Sequence, residues 1–147
     1  MVRGFARVAR RGGSAYALRD MLTVLIAMLL AGSDYHGTWR TADGSALVRI
    51  GPCGNQICGR IVRVLDPAAP ANDAHNPDRT RRNQPLAGLT VLSGFAPASG
   101  GVLAGRAYDP KSGRSYRTSL RINPNGSLRV TGCVLMVCRS QTWTRSR

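Results

Sequence analysis

Four cysteines, arranged as two pairs with the same spacing, are the residues of this sequence with the most evident chemistry. Cys53 and Cys58 lie in GPCGNQICGR, and Cys133 and Cys138 lie in TGCVLMVCRS, so each pair encloses four residues. Paired cysteines bind zinc, exchange electrons or form structural disulfides, depending on the compartment. Zinc and redox motifs usually enclose two residues. The spacing therefore favours two disulfides, with a metal site and a redox centre as the alternatives.

A second group of polar residues lies in and after a stretch rich in proline and asparagine. DAHNPD, residues 73–78, offers oxygen and nitrogen ligands, although Asx residues before proline more often cap turns. RTRR follows, and its last two residues, Arg81 and Arg82, would suit an anionic ligand. Together with residues of YDPKSGRSY, they form our candidate ligand site: Asn76, Asp78, Arg81, Arg82, Tyr108, Asp109 and Tyr116.

Motifs for enzymatic chemistry are missing from the sequence. There is no G-x-S-x-G, no Walker loop and no H-E-x-x-H, and all seven acidic residues are Asp. The two histidines, His36 and His75, are distant in sequence from every cysteine. We therefore predict a protein that is not an enzyme, with no catalytic residue, no bound metal and no cofactor.

The N-terminus has the pattern of an export signal. Residues 1–20 hold five Arg and one Asp, and the apolar run MLTVLIAMLLA follows over residues 21–31. Eleven helical residues span roughly 16 Å, about half of a bilayer core, which suits a secretory signal better than a transmembrane helix. We predict a signal peptide over residues 1–33, cleaved after Ser33 or after Ala31. A single domain over residues 34–147 would then act in the periplasm or outside the cell, where paired cysteines oxidise to disulfides.

The chain is strongly basic, with 21 Lys and Arg against seven Asp and a formal net charge of +14. Residues 1–33 hold five of the basic residues and one of the acidic ones, so the remainder keeps a net charge of +10. Such a charge attracts anionic ligands and anionic surfaces. Export, and the absence of interleaved aromatic and basic residues, argue against nucleic acid as a partner.

After residue 33 the sequence is typical of short β-strands separated by turns. Turn signals recur every 8 to 12 residues, and apolar and polar residues alternate between them. In RSYRTSLRI, for example, Tyr116, Thr118, Leu120 and Ile122 share one face. Only residues 66–85 are too rich in Pro, Asn and Asp for a strand. We predict an all-β fold, a small antiparallel up-and-down β-barrel of about eight strands with one long loop at residues 66–85.

Closure of the barrel leads to a prediction about the cysteines. If the first and last strands pair, the turn after the first and the turn before the last meet at one end, and all four cysteines lie there. A straight strand would hold the two cysteines of a pair about 16 Å apart, so a local pair must face across a tight turn. We favour local pairs, Cys53 with Cys58 and Cys133 with Cys138. Cross-pairing between the two hairpins remains open.

Residues at both ends of the predicted barrel carry a resemblance. Gly37 and Trp39 open the first strand in GTW, and Arg145 closes the last in TWTR. This resembles the lipocalin or calycin pattern, in which the Arg packs over the Trp and shuts the base of the barrel. Through IGPCGNQICGRIV, YDPKSGRSY and LRVTGC, residues 37–145 are also similar to the bacterial exported proteins grouped as domain of unknown function 2147. The resemblance implies a lipocalin-like barrel outside the cytoplasm and implies no reaction.

Two functions follow as hypotheses. In the first, the barrel mouth binds a small apolar or anionic ligand, with the arginine-bearing loop as a lid. In the second, the protein uses its basic surface to contact anionic lipid or glycan in the cell envelope, without an internal ligand. We expect a monomer or a weak dimer in either case.

Overall fold

Eight antiparallel strands close into one barrel in the computed structural model, which describes residues 21–23 and 33–147. Each strand pairs with its neighbour in sequence, and the last pairs with the first through Trp39 opposite Arg145. The predicted up-and-down barrel of about eight strands is therefore confirmed. The strands are β1 (Gly37–Arg40), β2 (Ala46–Cys53), β3 (Gln56–Val64), β4 (Thr90–Ala98), β5 (Val102–Asp109), β6 (Arg114–Ile122), β7 (Leu128–Val134) and β8 (Val137–Arg145).

The predicted signal peptide lies almost entirely outside the described residues. Within it, residues 21–23 are helical, and a short 3-10 helix begins at its last residue (Ser33–Tyr35). No helix in the described part of the chain is long and apolar enough to cross a bilayer.

Alternation along the strands determines which side chains fill the barrel. On β6, Thr118 and Leu120 are buried while Arg117 and Arg121 are exposed, and on β7 the buried Leu128 and Val130 flank the exposed Arg129. Arginine therefore mostly decorates the outer face, as the period of two predicts. Fully buried side chains fill the lower half of the barrel, the half that holds the first residues of β1: Trp39, Ile50, Phe95, Leu120 and Leu128.

The two cysteine turns lie at opposite ends of the barrel, so the prediction that they meet at one end is wrong. The residues before Cys53 form a separate first strand and a second strand, so the chain reverses direction once more than expected. In an up-and-down barrel, the β2–β3 turn then lies beside the start of β1, and the β7–β8 turn lies at the far end. Cross-pairing between the hairpins is excluded by this separation.

The two local pairs also differ from one another. Cys133 and Cys138 are direct cross-strand partners, with Cα atoms 4.0 Å apart, and they form a disulfide. Cys53 and Cys58 are unbonded thiols, contrary to the prediction of a second disulfide. Their β-ladder register explains the difference, because Cys53 lies opposite Gln56 and Cys58 opposite Gly51. The two residues are diagonal neighbours, which are farther apart than direct partners.

The long connection between β3 and β4 is folded rather than extended. It contains a 3-10 helix (Arg79–Arg81) and an isolated bridge between Asn72 and Pro85. Its centre is Asp73, whose side chain is fully buried. The Asp73 carboxylate accepts hydrogen bonds from Tyr108 Oη at 2.8 Å and from Asn76 Nδ2 at 2.7 Å. These bonds attach the connection to the end of β5.

Candidate functional site

One end of the barrel is shut by an arginine and a tryptophan. The Arg145 guanidinium carbon lies 4.3 Å from the centre of the Trp39 ring, and Trp39 is fully buried. Arg145 also donates hydrogen bonds to the backbone oxygens of His36 at 2.9 Å and Asp34 at 2.7 Å. Trp39 Nε1 donates to Tyr35 O at 2.9 Å. The guanidinium therefore stacks on the ring and ties the chain before β1 to the end of β8, which closes this base of the barrel.

The other half of the barrel is hollow. A cavity of about 610 Å³ opens at the end formed by the β1–β2, β5–β6 and β7–β8 turns. Its lower walls are apolar and come from five strands. The lining side chains there are Val48, Ile61, Leu92, Val130 and Trp143. Thr118 adds a polar group to this wall, but its hydroxyl donates to the backbone oxygen of Tyr116 at 3.1 Å.

Charged residues are confined to the mouth of the cavity. Lys111 and Asp43 form an ion pair at 2.7 Å, which joins the β5–β6 turn to the β1–β2 turn on the opposite side of the barrel. Partial burial alone would raise the pKa of Asp43. Hydrogen bonds from Lys111, Ser45 and Thr41 outweigh it and hold the pKa well below the ordinary aspartate value. The same ion pair raises the pKa of Lys111.

Two further cations at the mouth have no partner among the described residues. Arg114 at the start of β6 and Arg139 near the start of β8 both line the cavity, and neither side chain makes a hydrogen bond or ion pair within the described residues. Arg139 lies opposite Gly132 of β7, which has no side chain that could cover the Arg139 guanidinium. The second aspartate of the mouth, Asp109, accepts hydrogen bonds from Lys111 N and Ser112 Oγ of its own turn. The mouth therefore presents two unpaired guanidinium groups above an apolar chamber.

The predicted ligand residues divide into two groups. Tyr108, Asp109 and Tyr116 line the cavity, whereas no residue of the 66–85 loop does. Asn76 and Asp78 support the fold of the loop instead. Asn76 bonds Asp73, and the Asp78 carboxylate accepts from Thr80 N at 2.9 Å as the cap of the 3-10 helix. The loop therefore forms no part of the cavity wall, and its role as a lid stays a prediction.

The two loop arginines of the predicted ligand site, Arg81 and Arg82, also bind groups within the loop. Arg82 Nε donates to Asn76 O at 2.8 Å, and Arg81 lies 3.5 Å from the Asp78 carboxylate. Hydrogen bonds from Thr80 and the nearby Arg81 charge hold the Asp78 pKa below its ordinary value. Among the described residues there is no group of three or more His, Cys, Asp or Glu side chains placed to hold a metal.

Sequence reasoning missed the residues that give the mouth its charge: Asp43, Lys111, Arg114 and Arg139. Three of them lie in turns or beside them, where composition suggests solvent exposure. Strand alternation was the available signal for Arg139. Counting back by two from the buried Trp143 passes Gln141 and places Arg139 on the inner face.

A small closed barrel with one sealed end, one open end and a half-empty interior is a lipocalin-like protein. Residues 37–145 match the family described as uncharacterized protein conserved in bacteria (DUF2147), and the chain belongs to this family. The fold is similar to that of protein HP1028 from Helicobacter pylori, described as belonging to the lipocalin family. The TM-score is 0.68 at 21% identity, over 76% of this chain and 82% of that one. No curated protein matches the chain.

Proposed function

We propose that this protein is exported and binds a small amphipathic anion in its barrel. The observation that carries the proposal is the cavity of about 610 Å³, with apolar walls below and unpaired Arg114 and Arg139 at the mouth. The volume lies within the range of ligand pockets, and such pockets combine apolar walls with a few placed polar groups.

The charges of the mouth support an anion rather than a neutral or cationic ligand. Lys111 and Asp43 neutralise one another, and Asp109 is held by its own turn. Arg114 and Arg139 then remain as the groups able to bind a carboxylate, sulfonate or phosphate, which guanidinium groups hold through paired N–H donors. The ligand's apolar part would lie against Val130 and Trp143.

Export rests on the N-terminal pattern and agrees with the Cys133–Cys138 disulfide, because such bonds persist in oxidising compartments. Fractionation of the native host and N-terminal sequencing of the mature protein test it. Recovery of the protein from the cytoplasm with residues 1–33 still attached would contradict export.

A matched pair of fluorescent probes tests the ligand class. Anilinonaphthalene sulfonate and N-phenylnaphthylamine share an apolar body, and only the first carries an anion. We expect Arg139→Gln to weaken binding of the sulfonate roughly tenfold and to leave the neutral probe unchanged, since a charge-assisted bond contributes about 1.5–3 kcal/mol. Arg129→Gln, on the outer face of β7, removes the same charge and serves as the control.

If Arg139→Gln weakened the binding of both probes equally, this would show that the residue supports the fold rather than binding an anion. Absence of binding of either probe to the wild-type protein would overturn the proposal. Native mass spectrometry of the protein purified from its host, with and without solvent extraction, then measures the mass of any ligand that is carried along.

A basic surface that contacts the cell envelope without an internal ligand is the second candidate. One observation favours it: β6, β7 and β8 carry Arg114, Arg117, Arg121, Arg129, Arg139 and Arg145, and no acidic residue. A purely electrostatic contact of this kind would fade with salt and would not depend on the cavity.

A further inference from the structure

The β7–β8 turn carries four exposed apolar side chains: Val134 and Val137 line the cavity mouth, whereas neither the core nor the cavity explains Leu135 and Met136. Leu135 and Met136 are each 96% exposed, and Val134 and Val137 beside them are more than half exposed. Leu135 and Met136 line no part of the cavity. The turn of a solvent-exposed hairpin is usually polar, so four consecutive exposed apolar residues there point to a function. We call residues 134–137 the hairpin tip.

The backbone keeps the hairpin tip projecting from the barrel. The Cys133–Cys138 disulfide joins the two strands at the base of the tip, with Cα atoms 4.0 Å apart. Leu135 has a φ of +53°, a conformation in which glycine or asparagine is usual and a branched apolar residue is rare. A large apolar side chain is therefore present where both solvent exposure and backbone geometry favour a small polar one.

Positive charge surrounds the base of the hairpin tip. Arg139 follows Cys138 directly, and Arg117 is the cross-strand partner of Cys133 on β6. Arg114, also unpaired, lies three residues nearer the mouth on the same strand. The nearest three strands contain no acidic residue. An apolar projection with a collar of arginines is complementary to an anionic bilayer, in which acyl chains lie beneath negative headgroups.

We propose that the hairpin tip inserts into the surface of an anionic lipid bilayer and docks the protein there with its mouth toward the membrane. Leu135 and Met136 enter the boundary between headgroups and acyl chains, while Arg114, Arg117 and Arg139 contact lipid phosphates. The docking shares Arg114 and Arg139 with the proposed ligand site, whereas Leu135, Met136 and Arg117 belong to the docking alone. The docking differs from purely electrostatic adhesion because its apolar part persists when salt screens the charges.

Sedimentation with vesicles of phosphatidylcholine, with and without phosphatidylglycerol, measures the docking. We expect the wild-type protein to prefer the anionic vesicles and to keep part of its binding in high salt. The double variant Leu135→Asn with Met136→Ser should bind roughly tenfold more weakly, because it removes two apolar side chains and keeps every charge. Val62→Ser removes an exposed apolar side chain from β3 and should bind like the wild type.

A second pair of variants measures the contribution of positive charge to vesicle binding. Arg117→Gln should weaken binding to anionic vesicles about fivefold, and Arg129→Gln, on the outer face toward the sealed end, should leave it unchanged. Insertion itself is followed with Met136→Trp, whose emission should shift to the blue on anionic vesicles. Trp39 and Trp143 of the wild-type protein are buried and give the baseline.

Three results would overturn the proposal. One is an absence of wild-type binding to anionic vesicles, and another is equal binding by the double tip variant, which would leave only electrostatic adhesion. The third is a wild-type dimer that dissociates in the double variant without any change in vesicle binding, which would show that a second copy covers the tip. Circular dichroism of each variant establishes that the barrel is folded.

Discussion

Gly37 is required by the way in which the base of the barrel closes. Its φ is +132°, a conformation that side-chain-bearing residues rarely adopt, and a Cβ there would lie 2.8 Å from a guanidinium nitrogen of Arg145. The Arg145 guanidinium occupies this space because it bonds His36 O and stacks on Trp39. Gly37, the first residue of the G-x-W pattern, therefore leaves the space in which the Arg145 guanidinium stacks on Trp39, the third residue of the pattern.

We expect Gly37→Ala to lower the free energy of unfolding by about 1–3 kcal/mol, because alanine must take a strained backbone conformation and displace Arg145. Urea denaturation measures the change. Gly51→Ala is the matched control, since Gly51 has no positive φ and no atom within 4 Å of where its Cβ would lie. A similar loss in both variants would contradict this account of Gly37.

The cysteines show that equal spacing in sequence does not give equal geometry. Each pair encloses four residues, but the β7–β8 register places Cys133 directly opposite Cys138, whereas the β2–β3 register offsets Cys53 from Cys58. Burial, with a further contribution from the neighbouring Cys53 thiol, raises the pKa of Cys58 and lowers its reactivity. Register depends on where each turn falls, and the spacing of two cysteines does not encode it.

Alkylation of the protein unfolded without reductant should therefore label Cys53 and Cys58 and spare the other two cysteines. Replacement of Cys133 and Cys138 by serine should lower the free energy of unfolding by about 2 kcal/mol, the entropy of a six-residue loop. The same replacement at Cys53 and Cys58 breaks no cross-link and is the control. Complete protection of all four thiols would show that the second pair oxidises after a shift of register.

Among the elements, the β3–β4 connection gains its structure from a single buried carboxylate. Asp73 N donates to Gln84 O at 2.8 Å, while its side chain bonds Asn76 and Tyr108. Burial, and next the bond to Asp73, raise the pKa of Tyr108, so this phenol remains a hydrogen-bond donor throughout the physiological range. The connection is therefore attached to the barrel at the β5 end.

We expect Tyr108→Phe to open this connection, because a buried carboxylate that loses a donor costs about 1–3 kcal/mol. Limited trypsin digestion measures the opening directly, since Arg79, Arg81 and Arg82 are cleavage sites within the connection. Tyr116→Phe is the control, because the Tyr116 hydroxyl makes no hydrogen bond in the described part of the chain. Unchanged cleavage in Tyr108→Phe would show that the loop does not depend on this bond.

The elements were predictable to the extent that they follow from alternation. All eight strands coincide with strand-like runs of the sequence, because the period of two directly reflects an inner and an outer face. Most of the turns between them contain Gly, Asn or Pro, but the β7–β8 turn consists of Leu135 and Met136. The role of the 66–85 loop was not predictable. Burial of Asp73 depends on a contact with Tyr108, 35 residues away, and composition suggests only an exposed polar segment.

The barrel of residues 37–145 is a cup, closed at one end and open at the other, and its hollow half could not be inferred from hydrophobicity. Below the mouth the inner faces are apolar, so the same residue types pack the base and line the lower walls of the cavity. Glycines decide part of the difference: a Cβ on Gly105 would lie 2.7 Å from Phe95, which needs that space to fill the base. Gly132 instead leaves the wall beside Arg139 open. Each depends on the register of a β-hairpin, which the sequence pattern does not contain.

The Asp43–Lys111 ion pair crosses the mouth of this cup, and we expect it to restrict access to the cavity. It joins turns four strands apart in an eight-stranded barrel, so it lies across the opening that a ligand must pass. Both side chains are more than half exposed, and the pair adds at most about 1 kcal/mol to stability. Its effect should therefore appear in the rate at which a probe enters rather than in the unfolding midpoint.

The pH dependence has a definite sign. Because the folded-state pKa of Asp43 is lowered, the contribution of the pair is fully present above the unfolded carboxyl pKa of about 4 and is lost only as pH falls through the lower folded value. Stopped-flow uptake of the neutral probe should therefore be independent of pH from about 7 to 4 and should accelerate only well below pH 4, where the Asp43 carboxylate of the folded protein becomes protonated. Asp43→Asn and Lys111→Met should be fast already at neutral pH. Asp34→Asn removes an aspartate at the sealed end that makes no ion pair among the described residues, and it should behave as the wild type. Uptake that accelerates between pH 7 and 5 would assign the control to another group, because Asp43 stays charged throughout that interval.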